Sequence, residues 1–163
     1  MNIVISDTTA LIILAKSDKL ELISNLFEKV FIPQAVKDEL DFKDDIVKYR
    51  VDKFDKISLK ELTNIQSLNR IKKLNIDKGE AEAISLAIEL DLKLIIDERK
   101  GRVVAINQGL SVIGVLGILV ENYRLNHISL EEAHYFFNLF KKNGLRVSEK
   151  LEKVILEKLN DIN

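Results

Sequence analysis

The sequence predicts an α/β fold of three layers, with a central, mainly parallel sheet between helices and a helical extension at the C-terminal end. Three observations lead there. Short β-branched apolar runs read as buried strands, helical patterns separate them through residue 125, and from Ile128 onward helices follow one another without a strand. With 163 residues, 47% hydrophobic and 31% charged, the chain can bury a two- or three-layer core.

The first strand is Ile3 to Ser6, closed by Asp7, Thr8 and Thr9 before a helix over 9–16. Asp18 and Glu21 have capping-box spacing and predict a second helix reaching Phe27. A shorter strand over 30–32 leads to Pro33, the only proline, which suits the first turn of a third helix. Residues 42–74 form a charged amphipathic region, followed by an alanine-rich helix from Lys78 to Leu90. Strands over 92–96 and 111–115 then alternate with helices over 99–107 and 116–125. Beyond them, Ser129 and Glu132 predict a capped helix to about Asn143, with Gly144 as its stop, and a last helix spans 148–159. Residues 1–125 are therefore expected to form the main domain. Residues 126–163 are too short to bury a core alone and are expected to pack on or beside it.

Composition excludes several chemistries. Without cysteine there is no disulfide, thiolate metal site or cysteine nucleophile. His127 and His134 alone supply little for a histidine-rich zinc site or a Ser-His-Asp triad. No apolar run is long enough to span a bilayer and no secretory leader is evident, so a cytoplasmic protein without membrane attachment is expected. A net charge of −1 means that any affinity for a polyanion must come from local patches.

Among 26 acidic residues, facing is what discriminates. Asp7 leaves the C-terminal end of a buried strand, where a parallel sheet opens a crevice; the alternative is that Asp7 or Thr8 caps the next helix. Asp97 and Glu98 follow Leu94-Ile95-Ile96 in the same way, with Asp97 the better placed of the two. Glu39 falls four residues after Ala35 and three after Val36, on the apolar face of its helix. Glu80 precedes Ala83 and Ile84 by three and four residues and points toward the sheet, whereas Glu82 aligns with Ser85 and Glu89 and is expected to face solvent. For Glu80 the alternative is a first-turn charge on the helix dipole, an effect of about 0.3 to 1 kcal/mol. If Asp7, Glu39, Glu80 and Asp97 converge, their mutual repulsion calls for a cation, and oxygen-only ligation points to Mg²⁺ or Mn²⁺.

Four segments carry a family resemblance: Ser6-Asp7-Thr8; Gly79-Glu80-Ala81-Glu82-Ala83-Ile84; Asp97-Glu98 with Arg102 and Ala105; and Gly109-Leu110-Ser111-Val112-Ile113-Gly114. Together, over residues 2 to about 125, the chain resembles a PIN domain, of the branch with the Gly-Glu-Ala-Glu-Ala-Ile motif. The resemblance implies a metal-dependent ribonuclease, many relatives being toxins of bacterial and archaeal toxin–antitoxin pairs. It implies Asp7, Glu39, Glu80 and Asp97 as catalytic and metal-binding residues, with Glu98 a further ligand or substitute for Asp97. Ser6, Thr8 and Arg102 are candidate substrate contacts, local capping being the alternative for the two hydroxyls. The implied partners are single-stranded RNA, a small antitoxin protein and a second copy of the chain. Glu80 stands where many members have aspartate, Glu98 where a second aspartate is common, and residues 42–74 lie outside the shared motifs.

Basic residues flank two of the acids: Arg70, Lys72, Lys73 and Lys78 before Glu80, and Arg99, Lys100 and Arg102 after Asp97. They are either contacts for an RNA backbone or solvated helix faces. A PIN-like module with a weak site, acting through protein or RNA contacts on helical surfaces such as the Phe136, Phe137, Leu139, Phe140 cluster, is the competing function. A phosphatase with Asp7 as nucleophile is disfavoured because Thr9 occupies the position of its usual second aspartate.

Overall fold

The computed structural model describes residues 2–43 and 45–161. Among them five strands, β1 (Ile3–Ser6), β2 (Lys29–Ile32), β3 (Ile57–Leu59), β4 (Lys93–Ile95) and β5 (Val112–Ile113), form one parallel sheet in the order β3-β2-β1-β4-β5. The helices are α1 (Thr8–Lys16), α2 (Glu21–Ser24), α3 (Gln34–Asp41), α4 (Asp45–Lys53), α5 (Ile65–Lys72), α6 (Lys78–Leu90), α7 (Arg99–Asn107), α8 (Val115–Arg124), α9 (Leu130–Lys142) and α10 (Glu149–Asp161). This is the three-layer α/β architecture with a helical C-terminal end that the alternation of strands and helices predicts. No helix among the described residues is long and apolar enough to cross a membrane.

Chain order along the sheet has one reversal. From β1 the chain proceeds outward through β2 to β3, then returns to place β4 on the other side of β1 and continues to β5. A crevice opens at such a reversal, beyond the carboxyl ends of the two central strands. Those strands are β1 and β4, paired with Ser6 opposite Ile95. Because Val4, Ile5, Leu94 and Ile95 are all fully buried, the two central strands are covered on both faces and held in fixed register.

Helix α6 packs against β1 and β4, with α3, α5 and α7 around it. Alanines at 81, 83 and 87 permit that close approach on several sides. Helix α8 lies against β5, α1 and α2, and α9 and α10 pack on α8. Phe137 and Phe140 of α9 are almost completely buried within the same continuous core. The Ser129 capping box forms as the sequence predicts, and Gly144 follows α9 with a left-handed φ of 105°. At the seam with α8, buried Asn122 donates to the carbonyls of Leu22 and Ile118 and accepts from Asn25.

Three local expectations are corrected. Asp18 caps no helix: its φ of 55° places it in a left-handed turn, its carboxylate pairs with Arg50 at 3.5 Å, and only one helical turn, Glu21–Ser24, follows. The charged region over 42–74 contains α4, the edge strand β3 and α5. Strand β3 is only Ile-Ser-Leu, too short for periodicity to register, and is recruited by hydrogen bonding to β2. Glu82 is 9% exposed rather than solvent-facing, because α6 is enclosed by neighbouring helices on the side the helical wheel assigns to water.

Candidate active site

Asp7 is fixed at the floor of the crevice. Its backbone N–H continues the sheet by donating to the Ile95 carbonyl at 3.0 Å, and its Oδ1 accepts from Ala10 N–H at 3.3 Å, capping α1. Capping and a place in the crevice are thus compatible roles for one side chain. At 2% exposure its carboxyl is held well above the usual carboxylate range, first by burial, then by repulsion from Asp97 and Glu80, against which the N–H groups of Ala10 and Asp97 pull.

Asp97 leaves β4 beside it and is partly buried. Its Oδ2 accepts from Val115 N–H at 2.9 Å, so the carboxylate sits at the N-terminus of α8. Burial raises its pKa; the Val115 N–H and the Arg102 guanidinium counter that rise. Arg102 itself donates from Nη1 to the Ile96 carbonyl at 2.8 Å, so it braces the end of β4 next to Asp97. Ser6 is fully buried and donates to the Asp7 carbonyl at 3.0 Å, acting on the backbone beneath the crevice.

Glu80 stands at the N-terminus of α6 in a capping box with Asp77, accepting from Asp77 N–H at 3.3 Å while Asp77 Oδ1 accepts from Glu80 N–H at 2.8 Å. It is 8% exposed, and its carboxyl is pushed up to about 7 by burial and by the neighbouring Asp77 and Glu98. Glu98 is exposed and caps α7, its Oε2 accepting from Gly101 N–H at 2.8 Å, so it meets Glu80 from the N-terminus of the neighbouring helix. Glu39 is the outermost of the set. Although exposed overall, it turns its carboxylate back toward Gly79 and Thr8, and partial burial raises its pKa. The expectation of an inward Glu39 thus becomes a residue at the rim of the crevice, because its stripe on α3 ends where α6 begins.

Glycines set the clearance around three of these acids. A Cβ on Gly79 would overlap Glu39 Oε1, one on Gly101 would lie 3.2 Å from Glu80 Cδ, and one on Gly114 would lie 2.5 Å from Asp97 Oδ1. Each carboxylate therefore occupies room that any other residue at the glycine would take. Gly79 and Gly114 belong to the motifs singled out in the sequence and Gly101 does not; the pairing of each with an individual acid depends on folded neighbours and has no sequence signal of its own.

A hard divalent cation fits the donor set. All the donors are oxygen, Asp7 is raised by burial and then by Asp97 and Glu80, Glu80 by burial and then by Asp77 and Glu98, and the buried Thr8 hydroxyl lies against the Glu39 carboxylate. A cation at this mouth would relieve the repulsion between the ionised acids. Among the described residues no three carboxylates already form a closed ligand set, so Asp7 with Asp97 and Glu80 with Glu98 stand as neighbouring pairs and Glu39 as an outlying arm.

A family model describing the PIN domain matches residues 3–161 of the chain. Among solved structures, a chain in the crystal structure of VapBC2 from Rickettsia felis, bound to a DNA fragment from the promoter, superposes with a TM-score of 0.53 at 16% identity. The superposition covers 69% of this chain and 98% of that one, and speaks to the fold. No curated protein sequence matches the chain.

Proposed function

This chain belongs to the PIN-domain family, and from that premise we infer that it is a metal-dependent endoribonuclease, the toxin of a toxin–antitoxin pair. One observation carries the reading: Asp7 and Asp97 emerge side by side from the two central strands at the reversal of the sheet, with Glu80 close enough to raise Asp7 electrostatically. The VapBC2 likeness supports an antitoxin partner for this chain, and helices α9 and α10 supply a surface for that protein or a second copy.

Asp7, Glu39, Glu80 and Asp97, with Glu98, would hold Mg²⁺ or Mn²⁺. When bound, such an ion supplies charge neutralisation on phosphoryl oxygens and a more acidic water. The chain's own contribution is placement. Ala10 and Val115 N–H groups fix the two aspartates, Asp77 fixes Glu80, and Arg102 holds the strand end from which Asp97 projects. The Thr8 hydroxyl sits beside the Glu39 carboxylate at the mouth of the crevice, and is the candidate contact to a phosphate oxygen. Ser6 and Arg102 act on the backbone that carries Asp7 and Asp97, which replaces direct substrate contact as their role in this proposal.

Wild-type protein and Asp7→Asn, incubated with a mixed single-stranded RNA pool in Mn²⁺ and in chelator, test the assignment. Asparagine retains an Ncap acceptor, so the fold should persist while cleavage falls to background. Cutting that survives chelation or the substitution would remove the nuclease assignment in favour of a binding module.

A further inference from the structure

Beside the acids lies a groove of about 420 Å³ that the capping and charge network leaves unused. Its walls are Ala35, Asp38 and Glu39 of α3, Phe42 and Lys43 just beyond that helix, and Lys78 at the start of α6. The volume falls in the range of small-ligand sites, about 300 to 1,000 Å³. Phe42 is the most exposed large apolar residue among those described, at 91%. Lys43 and Lys78 are exposed and form no ion pair among the described residues; Lys43 acts on Glu39 only through space.

We propose that this groove is a nucleotide subsite for single-stranded RNA, in which a base next to the scissile position stacks on Phe42 and Lys43 and Lys78 take the adjoining phosphates. The inference rests on the nuclease reading and specifies how that site recognises its substrate. An unpaired base presents a flat π-face, and an aromatic ring held in water beside two cations is the surface that receives it, whatever the base. Glu39 belongs both to the groove wall and to the acid set, so a strand lying in the groove meets the acids at Glu39. The groove carries two carboxylates, Asp38 and Glu39, beside its two cations; Asp38 Oδ1 accepts from Gln34 Nε2 at 2.7 Å and Glu39 belongs to the acid set, so the charges left to meet a phosphate are those of Lys43 and Lys78.

Binding rather than cleavage tests the subsite, so that its failure is separable from failure of the nuclease reading. An eight-nucleotide single-stranded RNA with 2-aminopurine at successive positions is titrated with the full chain in chelator at low salt. Base stacking on an aromatic side chain predicts that Phe42→Leu weakens binding roughly 5- to 150-fold and abolishes quenching at one position, and that Phe42→Tyr restores both. Lys43→Ala and Lys78→Ala should each lower the slope of log K against log salt by about 0.7. All four changes are at exposed positions, and circular dichroism checks that folding is retained. Unchanged affinity and quenching in Phe42→Leu would overturn the proposal and leave this lip to a protein partner. That result would stand whether or not the wild-type protein cleaves RNA with Mn²⁺.

Discussion

Replacing Glu80 with glutamine is expected to stabilise the metal-free protein above neutral pH while eliminating metal-dependent activity. Glu80 is 8% exposed, and burial with the nearby Asp77 and Glu98 moves its carboxyl from 4.5 to about 7. At about 1.4 kcal/mol per pH unit, a rise of about 2.5 units is a ceiling of about 3.5 kcal/mol. Water reaching the crevice screens part of that repulsion, and roughly 1.5 kcal/mol is the expected effect. Between pH 4.5 and about 7 the unfolded carboxyl has lost its proton while the folded one retains it. The unfolded state thus binds fewer protons, so this group's contribution to stability is full below the lower value, falls as pH rises and is lost above the upper one.

Glutamine carries no charge at any pH and keeps an oxygen for the Asp77 N–H. The stability difference between variant and parent should therefore be near zero at pH 4.5 and grow to ~1.5 kcal/mol at pH 8, about 3 to 6 °C in Tm for a chain of this size. Thermal melts across that range in chelator measure it directly. Millimolar Mn²⁺ should raise the parent's Tm at pH 8 and the variant's much less, because ligand binding to the folded state stabilises it and the variant lacks one anionic oxygen donor. A gap between the two proteins that stays constant with pH, or a variant less stable at pH 8 than its parent, would refute the electrostatic account of this site.

Gly114→Ala should lower cleavage roughly 100-fold with less than about 1 kcal/mol lost in stability, because the new methyl would stand 2.5 Å from Asp97 Oδ1 and displace it, while the extended backbone at φ −105° accepts alanine. Cleavage kinetics and melts on the same preparation separate the two effects. Asn122→Ala should do the reverse, costing ~2 to 3 kcal/mol in denaturant unfolding by leaving the Leu22 carbonyl and Asn25 amide unpaired, with metal affinity and the pH profile unmoved.

Much of the fold is legible where local pattern and tertiary demand coincide. Ile3–Ser6 lies at the centre of the sheet, covered on both faces, and its sequence is apolar almost to the last residue; Lys78–Leu90 and Arg99–Asn107 have the bounds that their helical patterns predict. Strand β3 and the single turn of α2 depend instead on neighbours. Ile57–Leu59 becomes a strand because β2 presents an unpaired edge, and Asp18 is drawn from a capping role into a left-handed turn that Arg50 braces. Neither partner is adjacent in sequence, so neither effect leaves a local trace.

The acids divide along the same line. Asp7 and Asp97 are readable because a strand end fixes where its next residue goes, and Glu80 because its helix meets the sheet on the side periodicity indicates. Glu82 escapes that test: facing separates acids only on a helix with one wet side, and α6 keeps seven consecutive side chains buried from Ala81 to Ala87. Burial alone would then place Glu82 among the candidate ligands, yet none of the shifted acids of the crevice owes its shift to it. What separates Glu39, Glu80 and Asp97 from Glu82 is backbone clearance, since Gly79, Gly101 and Gly114 leave room beside those three carboxylates and no glycine does so for Glu82. In this fold a glycine on a neighbouring element faces Glu39, Glu80 and Asp97 and none faces Glu82, whereas Asp7 is set apart by its place at the end of β1.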